Sequence, residues 1–381
     1  MKNIYIVFDK LHSNEAGGLV SAYASLIQLL KDEYTIKAVS IINSNITKHD
    51  MFSGCEIINI SNHDFFPKME VVSDSLKHFK LFSLIKELFK LVCYFCYIPF
   101  ARTKMKKIFS SDDIIIVSSP AAGMFMSSKN KFILEIHSKF EYFWGNNKLG
   151  SLQRKLMSKP ELAIFRTKAD AIKAMDLLNS TYIYNFFDDS CLKKKKSIGQ
   201  KNREHKIIFM GRLVKSKNLP KLLDCARLLK KKVPDFCLDI YGNGPLQEEI
   251  ENKILDYNLT NNVHLCGFTK DKNIYDDYSL QWITSDFEGF GLVIIEAKAN
   301  GVPTISTNWG DGVYEVIHDQ EDGFVEDSNE GIVNKTVELL NNKELLTGIS
   351  NKALTNFDEF SKKNAYIRWK EILSSFEGGI N

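Results

Sequence analysis

The sequence predicts an α/β protein built from two Rossmann-like domains, and three observations carry that prediction. The chain has 381 residues, too many for one ordinary core and enough for two of roughly 150–200 residues each. Short apolar runs of strand length alternate with longer amphipathic segments, the pattern of parallel sheets covered by helices. The alternation runs once to about residue 187, breaks at a polar, basic stretch, and restarts near residue 205.

In the first half the predicted strands are 3–8, 34–42, 56–60, 113–118, 132–136 and 181–184, with helical patterns at 18–31 and 73–107. The opening apolar run is far too short for a signal peptide and reads as a buried strand. From Asp188 through Lys193, Lys194, Lys195 and Lys196 to Arg203 the chain is charged and contains Gly199, as expected of a solvated linker. In the second half strands are predicted at 206–210, 236–241, 262–266, 280–284 and 303–306, and helices at 218–231, 245–256, 291–300 and 328–341. The domains are therefore placed at 1–187 and 205–360, with 188–204 as linker. A last helix within 361–381 is expected to cross back onto the first domain. Two doubly wound sheets imply a cleft, with ligands at the carboxyl ends of the strands.

Composition narrows the function. Apolar residues make up 44% and charged residues 25% of the chain, the profile of a folded globular protein. A net charge of only +3 argues against nucleic acid as partner. Seven cysteines, an odd number without metal-ligand spacing, point to a reducing cytoplasm. Cys93 and Cys96 form a CxxC inside an apolar stretch and are expected to be packed core. Residues 77–107 hold eight basic side chains and one acid, Glu87, interleaved with apolar and aromatic residues. Lys86, Glu87 and Lys90 interrupt the apolar run, so it does not read as a membrane span. A core-facing helix with a basic outer face is one reading, and peripheral contact with an anionic membrane is the other.

The most specific segment is Ser285-Asp286-Phe287-Glu288-Gly289-Phe290-Gly291-Leu292-Val293-Ile294-Ile295-Glu296. Its glycines allow close backbone approach to a ligand, and the helix start that follows offers unpaired N–H groups and a partial positive charge suited to phosphate. Glu296 lies a little over one turn inside that helix, its side chain tilted back toward Glu288. Two carboxylates would repel phosphate, so neutral hydroxyls are their natural partners. The second segment is Met210-Gly211-Arg212-Leu213-Val214-Lys215-Ser216-Lys217-Asn218, after the first strand of the second half. Arg212 and Lys217 suit a diphosphate, one as a fork and the other as a compact charge.

These segments resemble the E-x7-E motif and the G-R-L-x-x-x-K-[GN] loop of family 4 retaining glycosyltransferases, whose fold is GT-B. The resemblance is strong over 206–327 and weaker before residue 190. It implies transfer of a sugar from a nucleotide diphosphate to an acceptor with retention of configuration. By that match Glu288 contacts the donor sugar's hydroxyls, Glu296 binds the ribose, and Arg212 and Lys217 stabilise the leaving diphosphate. Gly289, Phe290, Gly291 and Leu292 would line the phosphate.

Gly17 and Gly18, at the entry to a helical run, match a GG that members often carry against the donor phosphate. His137, just past a buried strand in Leu134-Glu135-Ile136-His137-Ser138, matches a histidine that reaches the donor sugar. Gly242-Asn243-Gly244-Pro245 fails as a dinucleotide fingerprint because Gln247 stands where GxGxxG needs glycine, but it fits a loop near the nucleotide base. Phe268 is assigned a base contact in the same way. The loop Asn308-Trp309-Gly310-Asp311-Gly312 departs from the family's shorter versions, and its role stays open. No Asp-x-Asp pair occurs in the sequence, so no metal and no cofactor are expected.

The favoured donor is a UDP-sugar, with GDP-mannose second. The acceptor is expected to be a saccharide or lipid-linked saccharide of surface polysaccharide or lipopolysaccharide assembly. A phosphorylase of the same architecture, a non-catalytic nucleotide-sugar-binding subunit and, more remotely, an epimerase remain open at this point.

Overall fold

A computed structural model of the chain describes residues 2–11, 18–42, 52, 54–61, 63–64, 71, 80–144, 148–188, 192 and 205–377. Gly17 and nearly all of the 188–204 stretch lie outside the described residues. The chain divides into two compact units. One comprises Met1–Arg166, Asp170–Ile183 and Tyr366–Asn381, and the other Thr167–Ala169 and Tyr184–Ala365.

The first unit holds a seven-stranded sheet, in the order β3-β2-β1-β4-β5-β6-β7. Its strands are β1 (Lys2–Phe8), β2 (Tyr34–Ser40), β3 (Glu56–Asn59), β4 (Ile114–Val117), β5 (Ile133–Ile136), β6 (Leu162–Phe165) and β7 (Ser180–Tyr182). Every pairing is parallel. The helices between them are α1 (Gly18–Leu30), α2 (Leu81–Ile108), α3 (Pro120–Gly123), α4 (Phe140–Trp144), α5 (Lys148–Leu156) and α6 (Lys168–Ala174). Runs such as Ile114-Ile115-Ile116-Val117 are buried on both faces, which is why they read as continuous rather than alternating apolar segments.

The second unit holds a six-stranded parallel sheet, β10-β9-β8-β11-β12-β13. Its strands are β8 (Lys206–Met210), β9 (Cys237–Tyr241), β10 (Val263–Gly267), β11 (Leu280–Ile283), β12 (Thr304–Ser306) and β13 (Gly323–Val325). The covering helices are α7 (Leu219–Lys230), α8 (Gln247–Asp256), α9 (Leu292–Ala299), α10 (Val313–Val316), α11 (Asn329–Asn341) and α12 (Lys343–Asn356). Helix α13 (Lys362–Glu377) follows. From Tyr366 onward it belongs to the first unit, where Tyr366 and Lys370 both bond Glu33 and Trp369 and Leu373 are buried.

Each sheet has its first strand in the middle, and the winding reverses beside it. The switch points fall between β1 and β4 and between β8 and β11. At such a point the loops after the two strands splay apart and leave a crevice at their carboxyl ends. Two strands escape the sequence reading, β6 and β13, and so do α12 and the shorter helices α3, α4, α5, α6 and α10. The strands are only four and three residues long, too short to show a period. Of the helix predicted over 73–107, residues 73–79 lie outside the described residues, and the rest runs from Leu81 to Ile108 through Pro99. The CxxC is not packed core: Cys96 is exposed and Cys93 only partly covered.

Candidate functional site

In the second unit the predicted residues gather at the carboxyl ends of β8 and β11. After β8 the chain turns at Gly211, presents Arg212, makes a 3-10 turn over Lys215–Lys217 and enters α7. Asn218 sits in the left-handed region at φ 47 and its side chain accepts from the Lys221 N–H at 3.3 Å, capping α7. The following Leu219-Pro220 suits a first helical turn. Asn218 also donates to Asp286 at 2.8 Å, and Thr284 donates to the Lys217 carbonyl at 3.1 Å. These bonds tie the β8 loop to the β11 loop.

Their result is the Lys217–Glu288 ion pair, Nζ to Oε1 at 2.5 Å, with the Ser285 hydroxyl donating to the same oxygen at 2.7 Å. The Glu288 side chain is 10% exposed and that of Lys217 18%. Arg212 stands beside them, exposed, and enters no ion pair among the described residues.

Gly291 caps α9 at φ 86 without any side-chain hydrogen bond. A Cβ there would meet Ile294 Cδ1 at 2.8 Å as well as forcing a left-handed backbone, so glycine is required. With no side-chain cap bonded to them, the Leu292 and Val293 amides that open α9 are available to an anion. Glu296, further along α9, pairs with Lys272 and accepts from the Tyr275 hydroxyl at 3.4 Å. On its other side α9 is held by a buried Lys298–Asp322 pair at 2.8 Å. Burial pulls the Lys298 ammonium below its usual pKa, against the attraction of Asp322.

Three loop segments singled out in the sequence gain a structural account. Phe290 is a core residue, 3% exposed, packed against Tyr184 and Phe360, so only its backbone is available to a ligand. Gly242 and Gly244 serve the loop that carries Arg212. A Cβ at Gly242, where φ is 141, would lie 1.9 Å from the Gly211 carbonyl oxygen, and one at Gly244 would lie 2.3 Å from that of Leu213. Trp309, in the loop left open by the sequence, is buried with Phe290 and Ile294 beside the start of α9. Phe268 follows the left-handed Gly267 and is exposed.

The first unit carries a separate cluster at the carboxyl end of β5. His137 Nε2 lies 3.1 Å from Arg166 Nη2 and 3.3 Å from the Tyr23 hydroxyl. A guanidinium only donates, so Nε2 accepts and the imidazole proton sits on Nδ1. Arg166, just past β6, also bonds Glu135, which is fully buried on β5. Burial, then the charge of Arg166, lowers the His137 pKa to about 4, leaving the ring neutral near pH 7. For Glu135 burial pushes upward, but the charge of Arg166 and a bond from Tyr23 prevail and hold it at about 2. Gly18 opens α1, the helix that supplies Tyr23. Sequence reasoning missed Tyr23, Glu135 and Arg166. The available signal was an acid inside the apolar strand around Leu134, since a buried carboxylate demands a cation.

One trio among the described residues has metal-ligand geometry. Cys237, Asp239 and His264, on β9 and β10, have their ligand atoms within 4.8 Å of one another. Asp239 also accepts from the Tyr278 hydroxyl at 2.6 Å, and burial raises the Cys237 thiol to about 11.

Comparison with known proteins gives a family match in the second half of the chain. Residues 192–355 match the family described as "Glycosyl transferases group 1". That match spans under half of the chain, and the fold of the chain is that of the GT-B glycosyltransferases. An uncharacterized glycosyltransferase of Haemophilus influenzae is 27% identical over 77% of this chain and 80% of its own length. A poly(ribitol-phosphate) alpha-N-acetylglucosaminyltransferase of Staphylococcus aureus is 29% identical over 53% of this chain and 42% of its own, so the match spans under half of that relative. Among solved structures, S. aureus TarM in complex with fondaparinux, alpha-GlcNAc-glycerol and UDP aligns at TM-score 0.74 and 17% identity. That alignment covers 99% of this chain and 100% of TarM. The likeness extends the GT-B fold over the chain, including the first half where the sequence motifs are weak.

Proposed function

We propose that the chain is a retaining, metal-independent glycosyltransferase that moves a hexose or N-acetylhexosamine from a UDP-sugar to a saccharide or lipid-linked saccharide acceptor. One observation carries the reading. Two cations, a free helix N-terminus and a buried carboxylate stand together at the switch point of the second sheet. Breaking the bond between sugar and diphosphate leaves negative charge on the nucleotide. Arg212, Lys217 and the α9 amides would neutralise it, the work a metal ion does elsewhere. Glu288, released from Lys217 by the phosphates, would accept from sugar hydroxyls, and Glu296 would take the ribose. Uridine is favoured because the structural relative TarM was solved with UDP. His137, neutral with its proton on Nδ1, can donate to a hydroxyl oxygen of the donor sugar.

Surface-polymer assembly in the cytoplasm is the setting we favour, on the strength of the S. aureus relative's printed activity. Melting the purified protein with UDP, GDP, ADP and their sugars in the presence of EDTA tests the donor site. The expected result is stabilisation by one nucleotide, reduced in Glu296→Ala. Stabilisation only after a divalent metal is restored would overturn metal independence, and none with any nucleotide would overturn the donor site.

A further inference from the structure

Strand β9 alternates. Leu238 and Ile240 point into the core of the second unit, so Cys237, Asp239 and Tyr241 share the opposite face. Strand β10, at the sheet edge, pairs with β9 in parallel and sets His264 beside Asp239. Neighbouring strands lie about 4.8 Å apart, so side chains from both reach a common point. His264 Nδ1 is 2.9 Å from Asp239 Oδ1 and 3.5 Å from Cys237 Sγ, and Cys237 Sγ is 3.4 Å from Asp239 Oδ1.

Those separations are the edges of one face of a coordination tetrahedron. With zinc bonds of about 2.3 Å to sulfur and about 2.0 Å to nitrogen and oxygen, sulfur stands about 3.5 Å from each of the others and nitrogen about 3.3 Å from oxygen. Only the nitrogen–oxygen edge has to open, and the His264 side chain, 47% exposed, has room to move. The donors also suit the ion. A thiolate and a carboxylate offset its two charges and a neutral imidazole adds none, while sulfur and imidazole select against calcium and magnesium, which take oxygen.

A second observation points the same way. Asp239 turns Oδ1 to the trio, and its Oδ2 accepts from the Tyr278 hydroxyl at 2.6 Å. Tyr278 is buried, and its hydroxyl lies 3.2 Å from that of Tyr241. The carboxylate is thus oriented from behind, the support that metal-binding carboxylates ordinarily receive.

We propose that Cys237, Asp239 and His264 bind a zinc ion that staples the edge strand β10 to β9, with a fourth position open on the solvent side. On binding, the sulfur takes the metal and the Cys237 thiol proton passes to solvent. None of the three residues enters the donor-site reading, so the proposal does not rest on it and assigns the ion no part in sugar transfer.

Equilibrium dialysis of the full chain against zinc, after EDTA treatment and with a phosphine reductant present, tests it. One zinc per chain is expected, and it should raise the melting temperature, because the ion binds the folded arrangement. Cobalt(II) as a probe should give thiolate-to-metal charge-transfer absorption and the strong visible bands of a tetrahedral ion. Cys237→Ser should remove the charge-transfer absorption. His264→Gln should lose zinc uptake while melting like the parent in EDTA, since the ring is half outside the fold. Tyr278→Phe should weaken zinc binding about 10–100-fold. No zinc uptake, uptake unchanged in Cys237→Ser or His264→Gln, or a cobalt spectrum without thiolate absorption would overturn the proposal. An affinity that Tyr278→Phe leaves unchanged would reduce the trio to a chance surface cluster and overturn it too.

Discussion

Replacing Lys217 by methionine separates two things the lysine does. It neutralises Glu288 within the protein, and on the proposed reading it grips the donor's diphosphate. Leaving a buried carboxylate without its partner costs about 3–5 kcal/mol when the pair is fully enclosed. Here the side chains keep 10% and 18% exposure and Ser285 still donates at 2.7 Å, so a loss of roughly 2–3 kcal/mol is expected. For a unit of this size that lowers the melting temperature by roughly 5–10 °C. UDP affinity should fall about 10–100-fold, the worth of one charge-assisted hydrogen bond. Adding Glu288→Gln removes the orphaned charge. The double variant should recover most of the stability while its UDP affinity, measured by calorimetry, stays low. Recovery of UDP affinity in the double variant would refute the reasoning, since Lys217 would then act only by neutralising Glu288.

Three further predictions concern His137, Gly242 and Gly348. His137, at about 4 in the folded chain against about 6.5 unfolded, is protonated first in the unfolded state, so its share of stability is whole above pH 6.5 and is lost as pH falls toward 4. Glu135, held at about 2, is lost later, as pH falls from the ordinary glutamate range toward 2. His137→Gln should accordingly flatten stability against pH between 4 and 6.5, and an NMR titration placing the imidazole midpoint above pH 6 would contradict the cluster. Gly242→Ala drives a Cβ to 1.9 Å from the Gly211 carbonyl and should cost at least about 3 kcal/mol and displace Arg212. By contrast Gly348→Ala, with nothing within 4 Å in helix α12, should raise stability by up to ~1 kcal/mol in the same melting assay.

What could be read from the sequence was what repeats or what is chemically costly. The doubly wound pattern was legible because ten residues of apolar helix or five of buried strand leave a visible period. Strand β13 was not, being three residues at the sheet edge, paired only with β12. In the second unit the site was legible because its chemistry is local: Lys217 and Glu288 are distant in sequence, but each sits in a short glycine-marked loop. In the first unit it was not. His137 was found by its place after β5, whereas Arg166 and Tyr23 reach it from β6 and α1, and no spacing rule connects those elements. The inward packing of Trp309 and Phe290 could not be read either. A loop beside a candidate ligand site can hold aromatic residues that pack inward and keep its shape, and composition alone does not show which way they face.

The two clusters solve one problem in different ways. A site for a charged donor needs fixed charges in place before the ligand arrives, yet unpaired buried charges destabilise the fold. In the second unit the pairs Lys217–Glu288 and Lys272–Glu296 are partners that a ligand can exchange. On the proposed reading a diphosphate would replace a carboxylate on the lysine and a hydroxyl would replace the lysine on the carboxylate, so binding would swap hydrogen bonds rather than strip water from bare ions. In the first unit Glu135 and Arg166 are too deep for exchange, and their mutual neutralisation instead fixes the ring of His137 and its proton. Partners that exchange suit groups that must let go of product, and partners that stay suit a group whose orientation must not change. Glu288→Gln should therefore alter ligand affinity and its dependence on ionic strength, whereas Glu135→Gln should act through the tautomer and geometry of His137.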